Sequence, residues 1–231
     1  MSEAGFDRVA AFYDPLSRLV FGQALKQAQR KALEALPPGY PYVLIIGGGS
    51  GWVLLEVLRQ RPNARVLYVE ASPLMLVKSR ETVRRHAPEH AAQVEFRLGT
   101  QTSLQPQESF DAVVTFFFLD LFAPAPLRLI VEQLAAARRP GAPWLLADFC
   151  PPRTLWQRAL LVSMYGFFRL TTGISAWWLP RIHAELTRLG LQPRQQTFFY
   201  RGMVEATIFG EPGPASHQGS PVADAPGEAT G

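Results

Sequence analysis

The feature that most limits what this chain can fold into is a pair of short apolar runs joined through a glycine turn. Residues 42–46 read YVLII, a run of the kind expected for a strand buried on both faces. GGGSG follows at residues 47–51, and residues 52–59 carry a helical pattern. Residues 65–70, RVLYVE, are a second apolar run and end on an acid, Glu70. The rhythm then repeats. Ser72 and Pro73 suit an N-cap followed by proline at the first helical position, with the helix running to about His86. Residues 93–98 read as a third strand, 110–116 as a fourth, 126–139 as a helix stopped by Pro140 and Gly141, and 144–149 as a fifth strand. Alternating strands and helices predict an α/β fold with a doubly wound, mostly parallel sheet.

The flanks behave differently. Residues 6–36 read as one or two helices, interrupted where Asp14 precedes Pro15 and stopped by Pro37, Pro38 and Gly39. Residues 154–170 form a strongly apolar helical segment, and residues 179–189 a further helix ended by Gly190. Residues 192–200 and 203–209 read as two strands joined by Arg201 and Gly202, a turn short enough to force them antiparallel. From residue 210 the chain is rich in Gly, Pro, Ala and Ser and has no aromatic residue, which predicts a disordered tail. The expected organisation is a helical lid segment over residues 1–40, a folded domain over 41–209 with a helical insertion at about 153–189, and a tail over 210–231.

Composition excludes several classes. With 48% hydrophobic and 18% charged residues in 231, the chain is globular and long enough to bury a core without staples. The single cysteine, Cys150, rules out a disulfide within the chain and a cysteine-rich metal site. The four histidines share no metal-ligand spacing and HExxH is absent, so no metal is expected. No run of 18 apolar residues predicts a membrane span, and the start, MSEAGFDR, lacks the basic-then-apolar order of a secretory leader; a cytoplasmic location is expected. The net charge is +4, with three acids and no Lys or Arg after residue 210, but the arginines are scattered and no nucleic-acid partner is expected.

The glycine turn decides among ligands. The backbone angles that glycine allows and the open N–H groups of the next helix suit a nucleotide-like cofactor lying across the turn. A phosphate-binding loop would need Gly-Lys-Ser/Thr at its end, whereas Trp52 follows Gly51. The dinucleotide fingerprint would need a glycine where Trp52 or Leu54 stands, so NAD(P) chemistry fits poorly and an oxidoreductase is the lesser alternative. Glu70 follows Gly47 by 23 residues and is placed to accept hydrogen bonds from both ribose hydroxyls of an adenine nucleoside.

The series VLIIGGGSG, RVLYVEASPLML, SFDAVVTFFFLDLF and RRPGAPWLLADF resembles the class I S-adenosylmethionine-dependent methyltransferase family over about residues 40–209. The resemblance implies a Rossmann-like, seven-stranded sheet in the order 3-2-1-4-5-7-6, strand 7 antiparallel, and S-adenosyl-L-methionine as cofactor. It implies that Gly47, Gly48, Gly49 and Gly51 lie beside the methionine moiety and ribose. It also implies that Glu70 and Ala71 meet the ribose, and that Leu74 or Met75 lies against adenine. Where the family often has an acid after strand three, this chain has Thr100 and Gln101, one of which could supply a neutral hydrogen bond instead. The stretch AFYDPLSRLVFG is similar to the start of methyltransferases acting on quinones and related lipophilic rings.

Catalysis of such a transfer requires a held nucleophile, exclusion of water and, for an OH or acidic carbon, a proton acceptor. Among candidate catalytic residues, Asp120 after strand four could contact the cofactor's amino end or the substrate, and Asp148 closing strand five could orient or deprotonate a substrate hydroxyl; each could instead cap a following turn. His183 is a candidate base or a packing residue, and Tyr13 a lid residue over the ligand or a helix-packing aromatic. The aromatic cluster at residues 116–122 and the apolar segment 155–170 suggest a lipophilic, aromatic or quinone-like small-molecule acceptor. The segment could roof a pocket or pack in the core or a homodimer, with contact to a membrane surface the lesser alternative. A non-catalytic scaffold with a vestigial cofactor site is the remaining alternative.

Overall fold

A computed structural model describes residues 21–172 and 179–212. In chain order the elements are α1 (Ala24–Leu33), β1 (Tyr42–Ile46), α2 (Trp52–Gln60), β2 (Arg65–Glu70), α3 (Pro73–His86), β3 (Val94–Leu98), β4 (Ala112–Phe116), α4 (Pro124–Ala136), β5 (Trp144–Phe149), α5 (Leu155–Thr172), α6 (Ile182–Arg188), β6 (Gln192–Phe199) and β7 (Val204–Gly210). The strands form one sheet in the order β3-β2-β1-β4-β5-β7-β6. β1 to β5 pair in parallel, and β7 is antiparallel to both β5 and β6. The order and the reversed last strand agree with the expected topology.

The continuous apolar runs are explained by burial on two faces. Val43, Ile45, Val66 and Tyr68 point to the face covered by α1, α2, α3 and α5. Leu44, Ile46, Leu67 and Val69 point to the face covered by α4 and α6. Period-two alternation therefore separates two cores rather than a core from solvent. α1 belongs to the first of them: Ala28, Ala32 and Leu33 have no solvent exposure, and the helix packs on β5, β6 and β7. The lid expectation is thus confined to residues 1–20, which, with Tyr13, lie outside the described residues; so do residues 213–231 of the expected tail.

Several boundaries move, among them that of the helix expected over residues 179–189, which spans only Ile182–Arg188 because Pro180 precedes it. β4 begins at Ala112, because Phe110 makes only an isolated bridge to Arg138. α4 begins at Pro124, where proline suits the first helical turn, rather than at Pro126. The β6–β7 link is not a two-residue turn: Tyr200–Gly202 form a 3-10 turn, with Tyr200 and Arg201 at φ 47° and 54°. The Tyr200 ring meets Phe21 edge-on at 5.0 Å, so the aromatic residue is held by packing while the backbone makes the reversal.

α5 is amphipathic in an unusual sense. Gln157 and Leu161 are buried and Leu160 and Met164 partly so, which accounts for one stripe. Gln157 accepts hydrogen bonds from the Arg153 and Thr154 N–H groups at 2.7 and 3.2 Å and donates to the Arg201 carbonyl at 3.0 Å. One side chain thereby caps the helix and ties it to the β6–β7 link.

Candidate functional site

The strand order reverses direction between β1 and β4, the switch point at which open α/β sheets bind ligands beyond the carboxyl ends of their strands. The glycine turn, residues 47–51, lies there. Four hydrogen bonds hold it. The Tyr68 hydroxyl donates to the Gly49 carbonyl at 2.7 Å, and the Thr82 hydroxyl to the Ser50 carbonyl at 2.9 Å. The Gly49 N–H donates to Glu70 Oε2 at 3.0 Å, and the Gly47 N–H to the Val69 carbonyl at 3.0 Å. The turn is a rigid platform built from β1, β2 and α3.

The glycines are required for different reasons. A Cβ at Gly47 would lie 2.4 Å from the Phe118 ring, and one at Gly48 2.5 Å from the Tyr68 ring. At Gly51, φ is 93° and a Cβ would press on the Ser79 backbone at 2.9 Å. These three are small so that the protein can pack on itself. Gly49 differs: its φ is 64° and a Cβ would meet nothing within 4 Å. Of the four, Gly49 is the one that opens onto free space, as close backbone approach by a ligand requires.

Glu70 is buried at the end of β2. Its two carboxylate oxygens accept from the Gly49 and Ser72 N–H groups, each at 3.0 Å. Ser72 then caps α3, its hydroxyl accepting from the Met75 N–H at 3.1 Å. The acid is thus fixed in position by backbone on both sides, and hydrogen bonds to an ionised acceptor are the stronger kind. Ala71 is half-buried and Leu74 exposed beside it, whereas Met75 is buried in the fold. Leu98, the β3 residue in register with Glu70, is exposed as well. Two leucines therefore stand open beyond β2 and β3, and Leu98 was not singled out from sequence because it reads as an ordinary strand residue. Thr100 is exposed and caps the turn Gln101–Ser103, with its hydroxyl 2.9 Å from that of Thr102; Gln101 is half-buried.

Asp120 and Asp148 come together. Asp148 closes β5 and is fully buried, with one carboxylate oxygen accepting from the Phe149 N–H at 2.8 Å and the other, Oδ2, without a partner among the described residues. Burial, and then the charge of buried Asp120 in the short turn after β4, pushes the Asp148 carboxyl well above the usual carboxylate range. A third acid, Glu205, is in register with Asp148 across β5 and β7. It was missed in sequence, where one acid in VEATIFG gives no sign of its partners. Glu205 accepts from the Gln196 side chain at 2.5 Å and from Thr207 Oγ1 at 2.8 Å, and pairs with His183 Nε2 at 2.7 Å. Burial acts to raise its pKa, but the bond and charge of His183, with Gln196 and Thr207, hold it below the ordinary value.

His183 is therefore engaged on the α6 face, edge-on to the Phe209 ring at 5.0 Å. Its partner strand β7 is three strands from β1, about 14 Å at normal strand spacing. The structure groups Asp120 and Asp148 near the switch point and draws His183 away from it. Cys150 is buried, and burial followed by the charges of Glu205 and Asp148 raises its thiol to about 12, which suits a packing residue.

Residues 44–143 match a family described as methyltransferase domain. The chain is similar to the carboxy-S-adenosyl-L-methionine synthase of Chromohalobacter salexigens, with 29% identity over 171 residues, 72% of this chain and 62% of that one. Its fold is similar to mitomycin 7-O-methyltransferase MmcR, with a TM-score of 0.66 and 20% identity over 90% of this chain and 60% of that one. It is similar also to CalO1, a methyltransferase in calicheamicin biosynthesis solved with SAH bound, with a TM-score of 0.61 and 18% identity over 87% of this chain and 56% of that one. The chain spans less than two thirds of the length of each of these three.

Proposed function

We propose that this chain, which has the class I S-adenosylmethionine-dependent methyltransferase fold, moves a methyl group from S-adenosyl-L-methionine to a small lipophilic or aromatic acceptor. The observation that carries the reading is Glu70, buried and fixed between the Gly49 and Ser72 N–H groups at the carboxyl end of β2. That geometry puts a charged acceptor beside Gly49, the glycine of the turn with open space above it.

The residues fit the cofactor. Glu70 would hold the ribose hydroxyls, Gly49 would let the chain of the cofactor pass close to the backbone, Leu74 and Leu98 would offer apolar surface for adenine, and Thr100 or Gln101 would supply a hydrogen bond to it. Bound there, the cofactor supplies a sulfonium methyl that is electrophilic without help from the protein. The protein's part is to hold the acceptor in line, exclude water and take a proton. Two neighbouring buried carboxyls share protons rather than ionise together. With the Asp148 carboxyl raised by burial and by the Asp120 charge, Asp120 is the group that can take the acceptor's proton as the new bond to carbon forms. The apolar surroundings support a lipophilic acceptor, and the likeness to MmcR, a mitomycin 7-O-methyltransferase, and to CalO1, a methyltransferase in calicheamicin biosynthesis, supports a small-molecule one.

Calorimetric titration of the purified chain tests the reading. Saturable one-to-one binding of S-adenosylmethionine and S-adenosylhomocysteine, and none of NADH, is expected. Binding of NADH alone would replace methyl transfer with redox chemistry. Turnover of polar amines only, in a broad acceptor screen, would overturn the acceptor class.

A further inference from the structure

We infer that the outer face of α5 and the adjoining β6–β7 link form a docking surface for an anionic lipid bilayer. The opposite side of α5 from its buried stripe carries Leu155, 85% exposed, and Val162, 55% exposed, two helical turns further on. Trp156 and Phe198 are exposed beside them, and the intervening Ala159 is exposed too. A helix on the surface of a water-soluble domain would place polar residues here. Arginines frame the patch: the Arg153 guanidinium lies over the Phe198 ring at 5.4 Å, and that of Arg201 over the Trp156 ring at 5.8 Å. Trp156 meets Tyr200 edge-on at 6.4 Å, so helix and link form one surface.

Charge identifies the occupant. Of the seven arginines in residues 151–203, Arg153 and Arg201 frame this patch and Arg158 stands exposed on α5, whereas Arg181 and Arg188 belong to α6 on the other face of the sheet, where Arg188 pairs with Glu132 and Glu185. A second copy of this chain docking across a two-fold axis would set this positive face against itself. Single-stranded nucleic acid would use the arginines and rings, but not the exposed leucine and valine. A bilayer interface uses all of them: aliphatic and indole groups enter the acyl boundary, and guanidinium groups reach anionic headgroups. Among the described residues no helix is long and apolar enough to cross a membrane, so α5 would lie in the interface. The patch lies at the same end of the sheet as Glu70, since β6 runs parallel to β5 and ends at Phe199.

The inference stands apart from the methyl-transfer reading, because vesicle binding is measured without cofactor or acceptor. The full chain is to be sedimented with phosphatidylcholine vesicles with and without phosphatidylglycerol. Binding to the anionic vesicles, weakened by high salt, is expected. Leu155→Glu combined with Val162→Glu should weaken it about tenfold or more, since each loses the burial of an aliphatic side chain. Arg153→Glu with Arg201→Glu should weaken it selectively on the anionic vesicles. Both variants should keep the parent's melting temperature to within a few degrees. No vesicle binding, or equal binding by the patch variants, overturns the inference. So does light scattering that shows a dimer dissolved by the same substitutions, or tight binding of a single-stranded RNA oligonucleotide with no vesicle binding.

Discussion

The Gly49 N–H donates to the Glu70 carboxylate at 3.0 Å, joining the turn after β1 to the end of β2. With Ser72 holding the other carboxylate oxygen, the acid has its position before any ligand arrives. Preorganisation of this kind lowers the cost of binding. Glu70→Gln keeps only one of these two backbone bonds, since its amide nitrogen cannot accept from the other N–H, and should weaken S-adenosylmethionine by about 1.5–3 kcal/mol, roughly ten- to a hundred-fold in Kd. Calorimetry reads the change, and an unaltered Kd would remove Glu70 from the site.

The glycines should separate by mechanism. Gly49→Ala meets no atom and should cost only the backbone penalty of the left-handed region, about 1–2 kcal/mol. Gly48→Ala carries no left-handed penalty but must displace the Tyr68 ring, whose hydroxyl holds Gly49, at an overpacking cost of about 1–3 kcal/mol. Denaturant unfolding reads both losses, and a loss below about 0.5 kcal/mol for Gly48→Ala would mean that the Tyr68 ring yields freely.

Asp148 should set a pH dependence of stability. Its folded pKa is raised above the unfolded one, so the folded state keeps a proton that the unfolded state releases above about pH 4. Stability contributed by this group is full below that pH and falls as pH rises through the folded value. Asp148→Asn removes the cost, and Asn can still accept from the Phe149 N–H. The variant's melting temperature should exceed the parent's at pH 7, with the gap closing toward pH 4. A gap independent of pH would show that Asp148 ionises freely.

His183→Ala should act on stability and leave the cofactor alone. It deprives buried Glu205 of one of its three partners. Because the His183 side chain is 39% exposed, the expected loss is modest, about 1 kcal/mol. Glu205 has a lowered pKa, so its stabilising contribution is present above its unfolded value, about 4.3, and is lost as pH falls through the folded one. The difference between parent and variant should therefore shrink in acid. A loss of S-adenosylmethionine binding in the variant would return His183 to the site.

The sequence by itself determined the sheet's parallel body, its glycine turn and the acid at the end of β2. These are local in origin: a doubly buried strand must be apolar throughout, and a turn at φ 64° or 93° favours glycine wherever it occurs. The reversed last strand was legible for the same reason, since any short link between β6 and β7 makes them antiparallel, even though its conformation, with Tyr200 and Arg201 left-handed, was not. What only the tertiary structure decided is which side chains meet across the sheet. Asp148 and Glu205 are 57 residues apart and become neighbours through the β5–β7 register, and Glu205 then claims His183. The same holds for Gly47 and Gly48, whose smallness answers to Phe118 and Tyr68, and for α5, whose apolar sequence does not say which face is covered. Periodicity encodes how an element is built, whereas partners are set by packing between elements distant in sequence.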